Sequence, residues 1–174
     1  MRFRELSGEE RYGANAPAGD ESEQKVREFM DSIDRPVQEF GPKRVPTERA
    51  QALTWTPMIR HAPDFLGWGK FIEVQTCYSK SVVFKEEKLQ VLQDWAMMMP
   101  VWFAIYVKKT NEVILLPLET AVWACYDSRS EYIVLDKGTK GEKMAFEVPI
   151  EVLFEVRVHD AFAVDRERKK EIKK

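Results

Sequence analysis

Two cysteines, Cys77 and Cys125, are all that the 174 residues contain. So few exclude a disulfide framework and a zinc cage, and leave reduced, partly buried thiols as the expectation. Long apolar runs are missing as well. The longest, around Ala96 to Val107, is broken by Pro100 and is too short to span a membrane. Met1-Arg2-Phe3-Arg4-Glu5 lacks the apolar run of a signal peptide. A cytoplasmic protein without membrane association is therefore expected. Neither sign of charge is in excess: 27 Lys and Arg stand against 29 Asp and Glu, a net of −2. That balance excludes a global basic field, so any contact with nucleic acid must rest on local positive charge.

What is present suits a folded domain. The chain is 44% hydrophobic and 32% charged, and five Trp and ten Phe supply the aromatic mass of a core. The length predicts a single domain. Residues 1–19, ending in Gly13-Ala14-Asn15-Ala16-Pro17-Ala18-Gly19, read as a flexible arm. Residues 20–164 read as the domain, and the mixed charges of residues 165–174 as a solvated tail. No internal repeat is present.

Asp20, Glu21 and Ser22 suit a helix N-terminus. Val26, Phe29, Met30 and Ile33 then recur at helical spacing, and Pro36 is expected to close the helix. A short strand, Val37 to Phe40, precedes a loop over residues 41–54. Trp55 to Phe65 and Lys70 to Cys77 flank Gly67-Trp68-Gly69, which predicts a hairpin. A helix is expected over Lys85 to Met99. The nearly all-apolar Val101 to Val107 reads as a central strand covered on both faces. Asn111-Glu112 turns into a strand over Val113 to Pro117, and a short helix is expected over Leu118 to Tyr126. Tyr132 to Leu135 and Met144 to Val148 read as strands around the Lys137–Gly141 turn.

Strand periodicity sends Ile72 and Val74 to one face and Glu73 and Gln75 to the other. A turn centred near Trp68 sets Asp64 beside Glu73. Two carboxylates this close repel each other, and a cation relieves that repulsion. Oxygen-only ligands suit Mg²⁺ or Mn²⁺. The polar face of an ordinary hairpin would carry the same residue types. Context favours a site: Asp64 follows Pro63, and Glu73 lies in an apolar strand followed by a helix and a buried strand.

Pro63-Asp64 followed by Glu73-Val74-Gln75, in the order helix, three strands, helix, strand, resembles the PD-(D/E)XK nucleases. The arrangement is most similar to the archaeal-type Holliday junction resolvase branch, over residues 20 to 108. The resemblance implies an α/β, restriction-endonuclease-like core with a mixed central sheet, helices on both sides and C-terminal additions. It implies a metal-dependent deoxyribonuclease, with branched recombination or repair intermediates among its substrates. Asp64, Glu73 and the Val74 carbonyl would hold the metal, with Glu23 contributing from the first helix. Gln75 departs from the family pattern, in which a Lys orients the attacking water and stabilises negative charge. A neutral amide orients water but supplies no charge. Some relatives place that Lys on the following helix, which makes Lys85 and Lys88 candidates, although first-turn lysines are ordinarily exposed.

Lys43, Arg44, Arg49 and Arg60 flank the site and are phosphate-contact candidates, as are Lys85 and Lys88. His61 is expected to be structural or exposed rather than a base, and His159 has no assigned role. Trp68 is the better candidate for base stacking, ahead of Trp55 and Trp95; Trp95 is expected in the core. Met97-Met98-Met99 is expected to pack at the helix end. The family resemblance makes a homodimer plausible, and the small size fits a phage or mobile-element protein. Two other classes remain open: an inactive nuclease fold that binds nucleic acid or protein, and an accessory protein whose motif is coincidental.

Overall fold

The computed structural model describes residues 21–41, 57–136 and 143–157. The first helix, α1, is helical at residues 21–32. It ends before Pro36, because Asp34 adopts a left-handed conformation with φ 63°. Arg35 N–H donates to the Met30 carbonyl at 2.9 Å and Asp34 N–H to that of Asp31 at 3.0 Å. These paired bonds form the Schellman stop that satisfies the last carbonyls of a helix. Val26 and Met30 are fully buried, as their spacing predicts.

The chain continues through β1 (Gln38–Glu39), α2 (Pro57–Arg60), β2 (Phe65–Gly67) and β3 (Lys70–Cys77). It then forms β4 (Ser81–Lys85), α3 (Glu86–Ala96), β5 (Val101–Val107) and β6 (Glu112–Pro117). The final elements are α4 (Leu118–Cys125), β7 (Glu131–Asp136), β8 (Lys143–Pro149) and α5 (Ile150–Val156). Five strands form a mixed sheet in the order β1-β2-β3-β5-β6. Within it β3 and β5 run parallel, and the other neighbours are antiparallel. A second, antiparallel sheet has the order β4-β8-β7.

The alternation along β5 divides the core. Val101, Phe103, Ile105 and Val107 enter one cluster with α3, α4, α5 and the second sheet. Ala104 and Tyr106 face α1 in the other. This strand is buried on both faces, which is why it reads as a continuous apolar run. Phe103 meets Phe84 edge-on at 5.0 Å between centroids. Phe103→Ala is expected to lower stability by about 3–5 kcal/mol in urea unfolding, since it opens a cavity where both sheets meet.

Three sequence expectations are corrected. Trp55 to Phe65 is not one strand: residues 57–60 are helical and the strand begins only at Phe65. Pro57 opens that helix, where its missing N–H costs nothing, and Pro63 withholds a ladder donor. Residues 51–56, Trp55 among them, lie outside the described residues. The third helix stops at Ala96, and Met97 and Met98 are 87% and 59% exposed rather than packed; Met99 does pack on the core. Elements β4 and α5 had no counterpart in the sequence reading. Cys77 and Cys125 are free and buried, as expected. Among the described residues no helix is long and apolar enough to cross a membrane.

Candidate functional site

The β2–β3 turn sets the site. Trp68 and Gly69, its two central residues, have φ of 55° and 65°. Positive φ at both positions marks the type I′ turn that matches the twist of a two-residue hairpin. Trp68 tolerates this conformation while packing its ring against Trp102 at 5.5 Å, with Lys70 4.9 Å and Arg35 5.0 Å from its centroid. Its ring is therefore engaged by the protein rather than free at a tip. The turn pairs Gly67 with Lys70 and Phe65 with Ile72. One step further along that register, Asp64 falls opposite Glu73.

Asp64 is held from two sides. Its side-chain Oδ2 accepts the Val74 N–H at 2.7 Å, and its carbonyl accepts the Phe40 N–H at 2.9 Å. The segment bearing Phe40, just after β1, comes this close because Gly41 follows. A Cβ at Gly41 would lie 2.8 Å from the Pro63 carbonyl oxygen. Gly41→Ala is expected to displace the Pro63-Asp64 segment, read as a shift of the Val74 amide resonance by NMR.

Glu73 is fully buried, and Ser22 is the other buried polar residue among those described. The Lys88 ammonium contacts Glu73 Oε1. The Asp64 side chain is its other hydrogen-bonding neighbour, and among the described residues no backbone N–H reaches either Glu73 oxygen. Burial, followed by the negative charge of Asp64, pushes the Glu73 carboxyl up to about 8, although Lys88 pulls the other way. Burial would lower the pKa of Lys88, but Glu73, Asp64 and Glu23 outweigh it and raise the pKa. With both carboxylates ionised the site would carry more negative charge than its one clamped ammonium neutralises, and the raised Glu73 pKa relieves that excess by keeping its proton at neutral pH.

A cleft of about 460 Å³ gathers Glu23, Asp64, Glu73, Val74, Gln75, Lys85 and Lys88. Glu23 comes from α1, whose first turn is tied to β3 by Ser22 Oγ and Thr76 Oγ1, 2.5 Å apart. Lys108 reinforces the tie by donating to Glu21 at 2.7 Å. Ile72 and Val74 pack on the α1 side of the sheet, opposite to Phe71 and Cys77, so the predicted strand parity holds.

The expectation of Lys88 as an ordinary exposed lysine is corrected: its side chain is 23% exposed and faces Glu73. The signal was present in the helix spacing. Lys88 precedes Val91 by three residues and Leu92 by four, and both are buried. His61 instead pairs with Glu87 at 3.4 Å and does not line the cleft. Trp95 packs against Phe71 and Phe40 and donates to the Met58 carbonyl at 3.1 Å. Lys43, Arg44, Arg49, His159 and the side chain of Arg60 lie outside the described residues, as do residues 1–19 and 165–174.

The donor set fits a hard divalent cation. Asp64 and Glu73 offer carboxylate oxygens, and Glu73 has buried lone pairs that no backbone donor satisfies. Among the described residues no three His, Cys, Asp or Glu side chains cluster as metal ligands. A cation here would take two carboxylates and complete its shell with main-chain carbonyl, water or substrate oxygens.

No protein-family model matches the chain, and no curated protein matches it significantly. Among solved structures it is similar to Hjc, a Holliday junction resolvase from the archaeal hyperthermophile Archaeoglobus fulgidus. The two share 10% identity with a TM-score of 0.50, over 84% of this chain and 96% of that one. It is also similar to D212, a nuclease from a fusselovirus, at 10% identity and a TM-score of 0.43, over 87% of this chain and 89% of that one. The likeness to Hjc shows the fold: an α/β, restriction-endonuclease-like core with a mixed sheet.

Proposed function

We propose that this protein is a metal-dependent nuclease that hydrolyses DNA phosphodiester bonds, with branched recombination or repair intermediates among its substrates. The observation that carries the reading is the fully buried Glu73 carboxylate beside Asp64, in a cleft shared with Glu23, Gln75 and Lys88. Asp64, Glu73 and the Val74 carbonyl would hold Mg²⁺ or Mn²⁺. When bound, such an ion lowers the pKa of a coordinated water and offsets charge on phosphoryl oxygens.

The protein's own groups have separate tasks. Asp64 is oriented by the Val74 N–H. Gln75 has an amide that positions a water without adding charge. Lys88 supplies from the helix the positive charge that Gln75 lacks. Glu23 supports the ammonium electrostatically. Lys85 lines the same cleft and is suited to a phosphate of the substrate backbone. Lys43, Arg44 and Arg60 remain proposed phosphate contacts, and a homodimer a proposed assembly.

A second reading is favoured by one contact. Lys88 neutralises Glu73 directly, so the fold can persist without metal and bind nucleic acid or protein without cleaving it. The test is cleavage of duplex, single-stranded and four-way-junction DNA with Mg²⁺ or Mn²⁺. Metal-dependent cleavage of any of them supports the nuclease; binding without turnover supports the second reading.

A further inference from the structure

The same ammonium that could serve catalysis is engaged with a carboxylate assigned to the metal. Lys88 reaches into the cleft from α3, and Glu73 Oε1 lies at its Nζ. Glu73 has no solvent-facing surface, and besides Lys88 its hydrogen-bonding neighbour is the Asp64 side chain. A buried carboxylate stripped of its partner is costly, so wherever Glu73 is ionised this contact is what makes its charge tolerable in the metal-free fold. A divalent ion at Glu73 would either take the lone pairs that the ammonium occupies or lie within a few ångströms of a fixed positive charge. Both outcomes oppose binding.

Resting on the metal site proposed above, we propose that Lys88 is an internal counter-ion that competes with the divalent cation for Glu73, and that cation binding releases its ammonium into the cleft. Lys88 thereby sets the affinity for metal as well as supplying charge. In the metal-free site the ammonium partners Glu73 Oε1, and the lysine becomes available to substrate phosphate only when the metal has arrived. Gln75 fits this division. A lysine at 75 would sit on the face that carries Glu73, two residues along the strand, and would crowd the same carboxylates with a second positive charge.

The experiment is calorimetric titration of Mg²⁺ into the wild type, Lys88→Met, Lys88→Arg and Asp64→Ala, at pH 8.5 to lessen competition from protons. Lys88→Met is expected to bind Mg²⁺ about tenfold tighter than the wild type or more, because a repelling charge a few ångströms from the ion is gone. Lys88→Arg is expected to stay near the wild-type affinity. Equal or weaker binding by Lys88→Met, with binding lost in Asp64→Ala, overturns the competition and leaves the metal site standing. Wild-type binding that Asp64→Ala does not weaken, or no binding by either the wild type or Lys88→Met, overturns both. A wild type too weak to measure beside a Lys88→Met that binds supports the competition.

Should Lys88→Met fail to fold, the side-chain ammonium resonance of Lys88 in ¹⁵N-lysine-labelled wild type gives the same decision. Saturating Mg²⁺ is expected to shift that resonance or lose it to solvent exchange. An unchanged resonance, with Mg²⁺ bound at Asp64, overturns the proposal.

Discussion

Asp64→Ala and Glu73→Ala are each expected to reduce Mg²⁺-dependent DNA cleavage by more than about a hundredfold. The magnitude follows from what each change removes. Loss of a group that merely supports a metal ligand costs 10–100-fold, and loss of one charge-stabilising donor costs about 100–1,000-fold. Loss of a carboxylate ligand from the proposed metal site, for which two carboxylates are proposed as ligands, combines both effects. The two variants should differ in stability. Asp64→Ala frees the Val74 N–H, which now donates to Oδ2 at 2.7 Å, at a cost of about 1–3 kcal/mol. Glu73→Ala leaves Lys88 partly buried without its carboxylate. Initial rates on a four-way junction and on linear duplex, with folding checked by circular dichroism, make the comparison. Undiminished cleavage by either variant would sink the assignment of the metal site.

The second large effect is on stability against pH. Glu73 stands at about 8 in the fold, against an ordinary value of 4.5. The folded state therefore holds a proton that the unfolded chain has released, over the interval between those values. Stability rises with pH where the unfolded state binds more protons; here the folded state binds more, so stability falls as pH rises from about 4.5 to about 8. In EDTA the wild type is expected to lose on the order of a few kcal/mol across this interval, or several degrees of melting temperature for a chain of this length. Glu73→Gln is expected to flatten the curve and to melt above the wild type at pH 8.5. The raised pKa of Lys88 acts in another window. Its contribution is present below the ordinary lysine value of 10.5 and is lost only above it. A wild-type melting temperature that is flat or rising between pH 5 and 8 in EDTA would show that Glu73 is not protonated in the fold.

Much of the site was legible because it depends on short-range rules. The turn at residues 67–69 needs φ above zero, and Gly69 supplies one such residue. A two-residue turn then fixes which residue faces which, so the pairing of Asp64 with Glu73 follows by counting. The alternation at residues 72–75 assigns faces without knowledge of the rest of the chain. The apolar run of β5 declares burial on both sides in the same way. The order of elements in the core follows from such periodicities joined in sequence.

What stayed hidden depends on residues that meet only when the chain returns. The second sheet pairs Val82 with Val148 and Phe84 with Phe146, and nothing local in either segment names its partner. The bond between Ser22 and Thr76 spans 54 positions, and it is this bond that brings the first turn of α1, with Glu23, to the cleft. Lys88 was ambiguous for the same reason. Its helical position is compatible with a rim or with the interior, and the register between α3 and β3 decides it. By itself the sequence determined the faces, the turn and the nearness of two carboxylates, because backbone geometry repeats every two or 3.6 residues. Only the tertiary structure decided that Glu73 is fully buried and that an ammonium from another element holds it, because burial and electrostatics are properties of the packed neighbourhood.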